Sequence, residues 1–516
     1  MAGTAAHRGA HPRYGQVSEH GSGRPRRPNL LLVIADQFRA AALGAAGADP
    51  VHTPVLDTLA TRSRNLTQAV SNYPVCSPCR AMLMTGRYPH TNGVDRNVNS
   101  ATAAQGAGLR PETPCWSDVL SEAGYALGYI GKWHLEAPCA EDEAYGEGRR
   151  EDGVVWDAYT APDRRHGFGF WYSHGCCDDH FAPHYWTGSA PRERPTRITQ
   201  WSAEHETDIA LGFLGEAAAG LADDGRPFGL VVSYNPPHQP FVQVPARYLA
   251  PYAGLPAERL LPRPNVDHGS RVAREAAAVA PYYFAAVTGV DEQIGRLLAG
   301  LDSYGLTRDT VVVFTSDHGM QLGSHGLLYK NVPYDESMRV PFLISRPGRI
   351  APGEDELLLG SADFAPTLLG LLGLARHIPD GTQGRDLSAA LLGPPDGPRT
   401  GAPEGVLYLG PGQEAEDPDV RGLRTRTHKL VCTREPDGTL TTRLGDLVND
   451  PYERADVSAE QPSLTATLVR SLLAELERVG DPWPGRAALA AAYGHPEDAD
   501  APPDDRPTRA AGSRRT

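Results

Sequence analysis

The sequence predicts an α/β fold, with a large mixed, mostly parallel sheet flanked by helices and a smaller C-terminal α+β subdomain on an antiparallel sheet. Continuously apolar runs at 30–35, 228–234 and 310–316 are typical of strands covered on both faces. Segments with helical spacing separate these runs, which indicates alternating strands and helices. After residue 405 the pattern changes to short strand-like runs followed by one helix, which indicates the antiparallel subdomain.

Chain length limits the number of domains. The 516 residues are enough for about two to three domains. We predict a disordered tail over 1–28, the main α/β domain over 29–395, the α+β subdomain over 400–485 and a second disordered tail over 494–516. Both tails are polar and rich in Arg, and such segments cannot bury enough apolar surface to fold.

Charge and cysteine content exclude several classes of protein. The net charge of −14 argues against a nucleic-acid partner. Seven Cys residues without a paired CxxC pattern indicate neither a disulfide framework nor a structural zinc site, and they favour a reducing compartment. The first apolar run, Leu30–Ala35, is too short for a signal peptide or a membrane span. The sequence therefore favours a cytoplasmic protein with no membrane partner.

The N-terminal elements have recognisable boundaries. The first strand is the apolar run at 30–35, and a helix with Pro in its first turn covers 53–60. The next helix begins at Cys76. A helix over 116–123 is ended by the glycine that follows it and leads into a strand over 126–130.

The middle of the chain combines an irregular segment with two long helices. The segment over 135–200 has little periodicity and many Pro, Gly, His and aromatic residues, so we predict a long insertion or lid-like loop region. Helices are predicted over 202–219 and 273–301, and Pro281 should kink or divide the second one. The C-terminal strands are predicted at 406–409, 423–427, 428–432 and 440–444, before a helix over 463–479.

The stretch around Cys76 combines a thiol, a proline and a fixed cation. Pro78 fits the first turn of a helix, which places Cys76 at the helix start, where free backbone N–H groups favour an anion. Arg80 lies four residues on, so its guanidinium can lie over the same face as Cys76. This arrangement indicates a reactive centre beside an anion site, and a buried structural thiol is the alternative.

Further polar side chains come where the predicted strands end. Asp36 and Gln37 follow the first strand, and Asp317 and His318 follow the strand over 310–316. The remaining candidates are Lys132, His134, His238 and Lys330. Because ligands of open α/β sheets bind at the carboxyl ends of the strands, we expect these side chains to share one site with Cys76.

The motif around Cys76 resembles the signature of type I (formylglycine-dependent) sulfatases, Cys-x-Pro-x-Arg followed by Thr-Gly. Cys79 departs from the motif, because Ser or a similar small residue is usual there, and Leu127 replaces the usual Ser or Thr of a second signature. The matched residues are Cys76, Pro78, Arg80, Thr85 and Gly86 in the first signature and Gly124, Tyr125, Gly131, Lys132 and His134 in the second. With further landmarks at 334–341 and 446–451, the order of motifs over about 29–480 is similar to the sulfatase branch of the alkaline phosphatase superfamily.

The resemblance implies a sulfuric ester hydrolase. Its Cys76 would be converted to formylglycine (3-oxoalanine) by a formylglycine-generating enzyme. One divalent cation is implied, with calcium expected and magnesium or manganese as alternatives. Its implied ligands are Asp36, Gln37, Cys76, Asp317 and His318. The family often has a second Asp where Gln37 stands, and the nitrogen of His318 suits manganese or zinc better than calcium.

The resemblance also implies catalytic roles. A hydroxyl of the hydrated Cys76 aldehyde would attack sulfur. Arg80, Lys132 and Lys330 would neutralise the ester oxygens. His238 or Lys330 would protonate the leaving alcohol, and His134 would be the base that allows sulfate to be expelled.

Two other functions stay open on the sequence alone. Phosphonate monoester and phosphodiester hydrolases of the same superfamily share these motifs, and a chain with unmodified Cys76 would be a non-catalytic metal- or ligand-binding homologue. The expected substrate is a sulfated small molecule or saccharide, aryl or carbohydrate. Residues of the 135–200 segment would suit a sugar or aryl ring, although a locally packed loop explains them equally well: His174, Asp178, Asp179, His180, His184, Tyr185 and Trp186.

Overall fold

The computed structural model describes residues 27–145, 149–399, 401–410 and 417–494. Almost all of the two predicted disordered tails lies outside these residues. The strands are β1 Asn29–Ala35, β2 Arg64–Leu66, β3 Ala69–Val70, β4 Ala126–Lys132, β5 Phe170–His174, β6 His184–Thr187, β7 Thr196–Arg197, β8 Phe228–Tyr234, β9 Thr310–Thr315, β10 Phe342–Ser345, β11 Gly353–Asp355, β12 Leu359–Gly360, β13 Gly405–Gly410, β14 Asp419–Thr425, β15 His428–Arg434 and β16 Leu440–Asp446. The helices are α1 Pro54–Arg62, α2 Cys76–Thr85, α3 Pro89–Asn92, α4 Ser100–Ala103, α5 Trp116–Glu122, α6 Ala140–Tyr145, α7 Ser202–Asp223, α8 Ala246–Leu249, α9 Ala257–Leu260, α10 Arg271–Ser303, α11 Asp335–Met338, α12 Ser361–Leu371, α13 Ser388–Leu392, α14 Pro462–Arg478 and α15 Arg486–Tyr493.

The large sheet has ten strands in the order β11-β2-β10-β9-β1-β8-β4-β5-β6-β7. Strands β9, β1, β8, β4 and β5 are parallel to one another. Strand β10 is antiparallel to β9, and β6 is antiparallel to β5. The predicted large mixed, mostly parallel sheet is confirmed.

Helices cover both faces of the large sheet. All residues of β1, β8 and β9 are buried, which explains why their sequences are continuously apolar rather than alternating. Helices α1, α7 and α10 pack on one face. Helices α2, α5 and α12 pack on the other. No described helix is long and apolar enough to cross a membrane.

The smaller sheet is antiparallel, in the order β13-β14-β15-β16. Helix α14 packs against it through one apolar stripe that includes Val469, Leu472 and Leu476, the spacing expected of an amphipathic helix. Met82 of α2 joins the same core. The α+β subdomain therefore packs directly on the helix that begins with Cys76.

Two sequence predictions are wrong. The segment over 135–200 contributes β5, β6 and β7 to the large sheet, rather than forming a loop region throughout. These strands have only five, four and two residues, so their alternation is hard to detect. Of the two effects predicted for Pro281, a kink or a division, the division is wrong, because α10 runs from Arg271 to Ser303. Burial of its Ala- and aromatic-rich face outweighs the one backbone hydrogen bond that proline removes.

Candidate active site

The carboxyl ends of the central parallel strands meet at one edge of the large sheet. Asp36 follows β1, Lys132 is the last residue of β4, and Asp317 comes two residues after β9. Helix α2 begins at this edge with Cys76. Contacts therefore form between residues that are far apart in sequence, such as Gln37 and Asp317, which are 280 positions apart.

Two of the strand-end residues have a left-handed backbone. Gln37 has φ 66° and His134 has φ 53°, values that are uncommon for residues with a Cβ atom. At Gln37 this conformation directs the backbone N–H to Asp317 Oδ1, 3.1 Å away. The Tyr283 hydroxyl donates to the Gln37 carbonyl oxygen at 2.9 Å. Such strained backbone persists where surrounding contacts hold it, as they do here.

Arg80 orients both carboxylates of the site. Its Nε donates to Asp317 Oδ2 at 2.9 Å, and its Nη2 donates to Asp36 Oδ2 at 3.1 Å. Its Nη1 donates to the Lys132 carbonyl oxygen at 2.9 Å. The guanidinium is buried, and its planar fork holds each partner at a defined angle. The other oxygen of Asp36 faces the thiol of Cys76, with 3.9 Å between Oδ1 and Sγ.

Two ammonium groups reach the site from different elements. Lys132 Nζ lies 2.7 Å from Asp36 Oδ2. Lys330 Nζ lies 3.4 Å from Cys76 Sγ and 2.9 Å from Gln37 Oε1. Burial alone would raise the pKa of Asp36, but the surrounding cations, Lys132 first among them, lower it well below its usual range. The carboxylate is therefore charged.

Lone pairs of several side chains converge beside Cys76. His318 Nδ1 lies 3.0 Å from the Gly319 carbonyl oxygen. A carbonyl only accepts, so Nδ1 carries a proton, and Nε2 is the ring nitrogen that could bind a metal ion. This Nε2 lies 3.5 Å from Asp36 Oδ1 and 3.7 Å from Asp317 Oδ1. Acceptors this close repel one another unless a cation lies between them, and with Cys76 Sγ their ligand atoms lie within 4.8 Å of one another. This donor set fits a divalent cation.

The thiol of Cys76 has an unusual electrostatic environment. Burial and the Asp36 charge would raise the pKa of Cys76, but Lys330 and Lys132 hold it well below its usual range. The group at this position therefore lies in a field that favours negative charge.

Cys79, where the sequence departs from the sulfatase motif, has the opposite environment. Its Sγ lies 3.1 Å from Ser361 Oγ at the start of α12. Burial, with the nearby Asp317, raises the pKa of Cys79 to about 12. Cys79 is therefore a protonated packing residue.

His134 is placed to accept a proton. Its Nε2 lies 3.1 Å from the Val98 carbonyl oxygen, which leaves Nδ1 as the acceptor of the neutral ring. Burial lowers the pKa of His134, and the nearby Cys76 offsets this only in part.

His238 lies in a loop that follows β8. Its Nδ1 is 2.9 Å from the Gln239 carbonyl oxygen and 3.5 Å from Asp178 Oδ1. Burial and the nearby lysines lower the pKa of His238, but Asp36 and Asp178 raise it overall. This histidine is therefore the more readily protonated of the two.

Comparison with known proteins identifies the family. The model of the Sulfatase family matches residues 28–374. An endo-4-O-sulfatase of Bacteroides thetaiotaomicron is 37% identical over 496 residues, covering 91% of this chain and 94% of that protein. The chain belongs to the sulfatase family. This is the formylglycine-dependent family of the alkaline phosphatase superfamily, so the protein is a sulfatase.

Further similarities cover most of this sulfatase. The model described as N-sulphoglucosamine sulphohydrolase, C-terminal, matches residues 323–481. An ulvan-active sulfatase of Formosa agariphila is 33% identical, covering 90% of this chain and 83% of that protein. A solved structure from work on the metabolism of multiple glycosaminoglycans by Bacteroides thetaiotaomicron is 35% identical, with a TM-score of 0.82, and covers 90% of this chain and 99% of that one.

Two site residues of this sulfatase were missed in the sequence. Asn235 Oδ1 accepts from Lys132 Nζ at 3.1 Å, and Ser233 Oγ accepts from Arg80 at 2.8 Å. Both belong to the end of β8 or the residue just after it. Their position at a strand end was a usable signal, but Asn and Ser have no charge that would single them out.

The polar residues of the 135–200 segment divide into two groups. Asp178 accepts from Asn235 Nδ2 at 3.2 Å, and His180 Nε2 lies 2.9 Å from the His238 carbonyl oxygen, so these two border the site. His184 instead pairs with Asp157, with Nε2 2.5 Å from Oδ2. The remaining members of the second group are buried in or beside β5 and β6: His174, Tyr185 and Trp186. Local packing therefore explains the second group, and it also explains Asp179, which accepts from the backbone N–H groups of Phe181 and Ala182.

Proposed function

We propose that this sulfatase hydrolyses sulfate monoesters of a saccharide at Cys76, converted to formylglycine by a formylglycine-generating enzyme. The observation that carries the proposal is the position of Cys76, with Sγ 3.2 Å from His318 Nε2 and 3.4 Å from Lys330 Nζ at the start of a helix. The names of its relatives, an endo-4-O-sulfatase and an ulvan-active sulfatase, support a saccharide rather than a simple aryl substrate. Conversion of Cys76 would supply a geminal diol, one hydroxyl of which attacks sulfur.

The charges of the site suit a sulfate group. Two carboxylates, Asp36 and Asp317, are outnumbered by three fixed cations, Arg80, Lys132 and Lys330. A buried excess of positive charge attracts an anion and stabilises charge that develops on its oxygens in the transition state. Lys132 and Lys330 reach this space from different elements, so they would bind different oxygens.

The two histidines would move protons. His134 is neutral with Nδ1 as acceptor, so it would take the proton of the second hydroxyl and allow sulfate to leave. His238, whose pKa is raised, would protonate the leaving alcohol, with Lys330 as the alternative donor. Asp178, with Oδ1 3.5 Å from His238 Nδ1, would orient the ring.

A divalent cation would complete the site. Asp36, Gln37, Asp317, His318 and the modified Cys76 would hold it, and it would supply Lewis acidity beside the nucleophile. Calcium is our choice, with magnesium and manganese as alternatives, and of these two the His318 nitrogen favours manganese.

We further propose a boundary between the two units near residues 395–400, with the catalytic domain over 29–395 and the α+β subdomain over 400–485. The separate four-stranded sheet supports this division. We also propose a reducing, cytoplasmic location, which is supported by the absence of disulfides among the seven cysteines, all of which lie in the described residues.

Two measurements test the proposed function: the mass of the peptide that contains Cys76, and the rates of hydrolysis of different substrates. A peptide spanning Cys76 should lose about 18 Da, or nothing if the aldehyde is hydrated, and should react with a hydrazide. The protein should release sulfate from 4-O-sulfated glycosaminoglycan oligosaccharides faster than from 4-nitrophenyl sulfate. Turnover only of matched phosphonate or phosphodiester substrates would contradict the proposal, and an unreactive thiol in active protein would contradict the role of formylglycine.

Metal binding has its own prediction. Calcium at 100 times its Kd should stabilise the protein by about 2.7 kcal/mol, measured as a shift of the unfolding midpoint. Asp317→Asn should abolish the shift because it removes a charged ligand. The control is Asp57→Asn, a carboxylate that accepts from the backbone N–H of Ala45 and from Thr53 Oγ1 and should leave the shift unchanged. Manganese and magnesium, tested in parallel, would show which ion gives the largest shift, and an unchanged shift in Asp317→Asn would place the ion elsewhere.

A further inference from the structure

A second buried ion cluster lies between the two sheets. Lys429 Nζ, from β15, is 2.7 Å from Asp335 Oδ1 and 2.8 Å from Glu453 Oε1. Arg424, from β14, forms two hydrogen bonds to Asp335, at 3.0 and 2.9 Å. We call Asp335, Arg424, Lys429 and Glu453 the interdomain cluster. Lys429 and Glu453 are each at most 2% exposed, so these contacts are made in a low-dielectric environment.

The interdomain cluster anchors the chain just after Lys330. Lys429 Nζ donates to the Pro333 carbonyl oxygen at 2.7 Å. Glu453 Oε2 accepts from the backbone N–H of Asp335 at 2.8 Å. Burial alone would raise the pKa of Asp335, but Arg424 and Lys429 lower it well below its usual range. A charged, fully paired anchor is therefore fixed within five residues of Lys330.

A second anchor lies on the other side of Lys330. The Gln321 N–H donates to the Tyr329 carbonyl oxygen at 2.7 Å. The short stretch 330–332 is thus held between Tyr329 and Pro333, and Lys330 Nζ reaches Cys76 Sγ from it. A lysine side chain has many rotamers, so a fixed backbone is needed to place its ammonium group reproducibly.

We propose that Lys429 is a positioning residue for Lys330, by which the C-terminal subdomain completes the active site. Lys429 touches neither Cys76 nor the candidate metal ligands; it acts through Pro333 and Asp335. The inference rests on the role of Lys330 in the proposed function. It gives the antiparallel subdomain a part in turnover in addition to its part in stability.

The test is a double-mutant cycle with Lys429→Met and Lys330→Ala. The quantity measured is kcat/KM for sulfate release, at a temperature where circular dichroism shows that each variant is folded. Lys429→Met alone should lower kcat/KM by about 10–100-fold, the range found when partners that orient a site residue are removed. In the Lys330→Ala background it should lower kcat/KM less than about threefold, because the group that it positions is gone. Lys429→Arg, which keeps the charge, should recover part of the loss.

The matched control is Arg421→Met. Arg421 lies on β14, is buried, and pairs with Asp481 at 3.1 Å, so its loss should destabilise the subdomain without loosening Pro333 or Asp335. We expect kcat/KM within about threefold of wild type for this variant. If Lys429→Met does not fold, Glu453→Gln enters the same cycle, because it removes one partner of Lys429.

Three outcomes are distinguishable. Equal losses from Lys429→Met in both backgrounds would overturn the positioning role while leaving the proposed function intact. A loss from Arg421→Met as large as that from Lys429→Met would also overturn it, since general destabilisation would explain both. Wild-type turnover by Lys330→Ala would remove Lys330 from the proposed mechanism and the positioning role with it.

Discussion

The active site and the interdomain cluster are built from the same residue types but differ in charge balance. Both are buried and both place two carboxylates against Arg and Lys. In the interdomain cluster two buried cations, Arg424 and Lys429, match two carboxylates, and the more exposed Arg339 lies 3.9 Å from Asp335. In the active site three cations face Asp36 and Asp317. A balanced cluster fixes the fold, whereas an excess of buried cations leaves a charge that an anionic substrate can neutralise.

The two clusters also differ in how many of their carboxylate oxygens are paired with cationic side chains. Both oxygens of Asp335 lie within 3.0 Å of a cationic group. At Asp36, cations take Oδ2, while Oδ1 faces Cys76 Sγ and His318 Nε2. An acceptor that faces other acceptors costs energy unless a ligand is bound. A carboxylate oxygen that faces other acceptors therefore distinguishes the active site from the interdomain cluster.

The largest effect is expected at Cys76. Cys76→Ser should lower kcat/KM by at least about 10⁴-fold, because an unmodified serine would form a sulfate ester with no second hydroxyl to release it. Unfolding free energy should change little, as the side chain is isosteric. Sulfate release and thermal unfolding measure the two quantities.

Cys79→Ser is the control for Cys76. Cys79 lies three residues along α2 and contacts Ser361, so its replacement should keep kcat/KM within about threefold of wild type. A loss comparable to that of Cys76→Ser would show that Cys79 belongs to the reactive centre or to the recognition of Cys76 during maturation.

The next effect is expected at Lys132. Lys132→Met leaves two cations for two carboxylates, the balance of the interdomain cluster, and should lower kcat/KM by about 10²–10³-fold. Its stability cost should be smaller than that of Lys429→Met, which is expected at about 3–5 kcal/mol, because Arg80 still pairs with Asp36. Urea unfolding of both variants makes the comparison. Equal stability losses would mean that charge balance does not separate the clusters.

The sequence predicts the active site far better than the interdomain cluster, for a physical reason. Asp36, Lys132 and Asp317 each lie at or just after the end of a strand, and parallel strands bring such positions together whatever lies between them. Roles were assigned by family resemblance, and the structure brings the residues together without testing those roles. The left-handed backbone of Gln37 could not be predicted from the spacing of residues in the sequence, because it depends on contacts with Asp317 and Tyr283.

The interdomain cluster has no comparable local signal. Asp335 and Glu453 are 118 positions apart, and their partners lie on strands whose pairing with the main domain is set by packing. The sequence around Lys429 reads as an ordinary antiparallel strand with exposed cations. The short strands β5 and β6 escaped prediction for a similar reason, because their burial comes from the sheet they join.

Glu206 is another buried carboxylate, and it tests the comparison between the active site and the interdomain cluster. Among the described residues it forms no ion pair with Lys or Arg. The Tyr185 hydroxyl donates to it at 2.9 Å, and His174 lies 4.0 Å away, where burial lowers the pKa of His174 to about 3 and keeps it neutral. Burial raises the pKa of Glu206 from about 4.5 to about 8, in contrast to Asp36 and Asp335.

The smallest predicted effect follows from the raised pKa of Glu206. The folded state holds a proton on Glu206 between about pH 4.5 and pH 8 that the unfolded state releases, so stability should fall as pH rises through this window. Each pKa unit corresponds to about 1.4 kcal/mol, and even half of the shift gives about 2 kcal/mol. Glu206→Gln should remove this loss and be about 2 kcal/mol more stable than wild type at pH 9, with urea unfolding at pH 5 and pH 9 as the measurement. Glu204→Gln, on the same helix, should keep the wild-type slope because Glu204 pairs with Arg247. If the unfolding free energy of Glu206→Gln depended on pH as steeply as that of wild type, burial without a cation would not suppress ionisation in this fold. Nearby cations would then not explain why Asp36 and Asp335 stay charged.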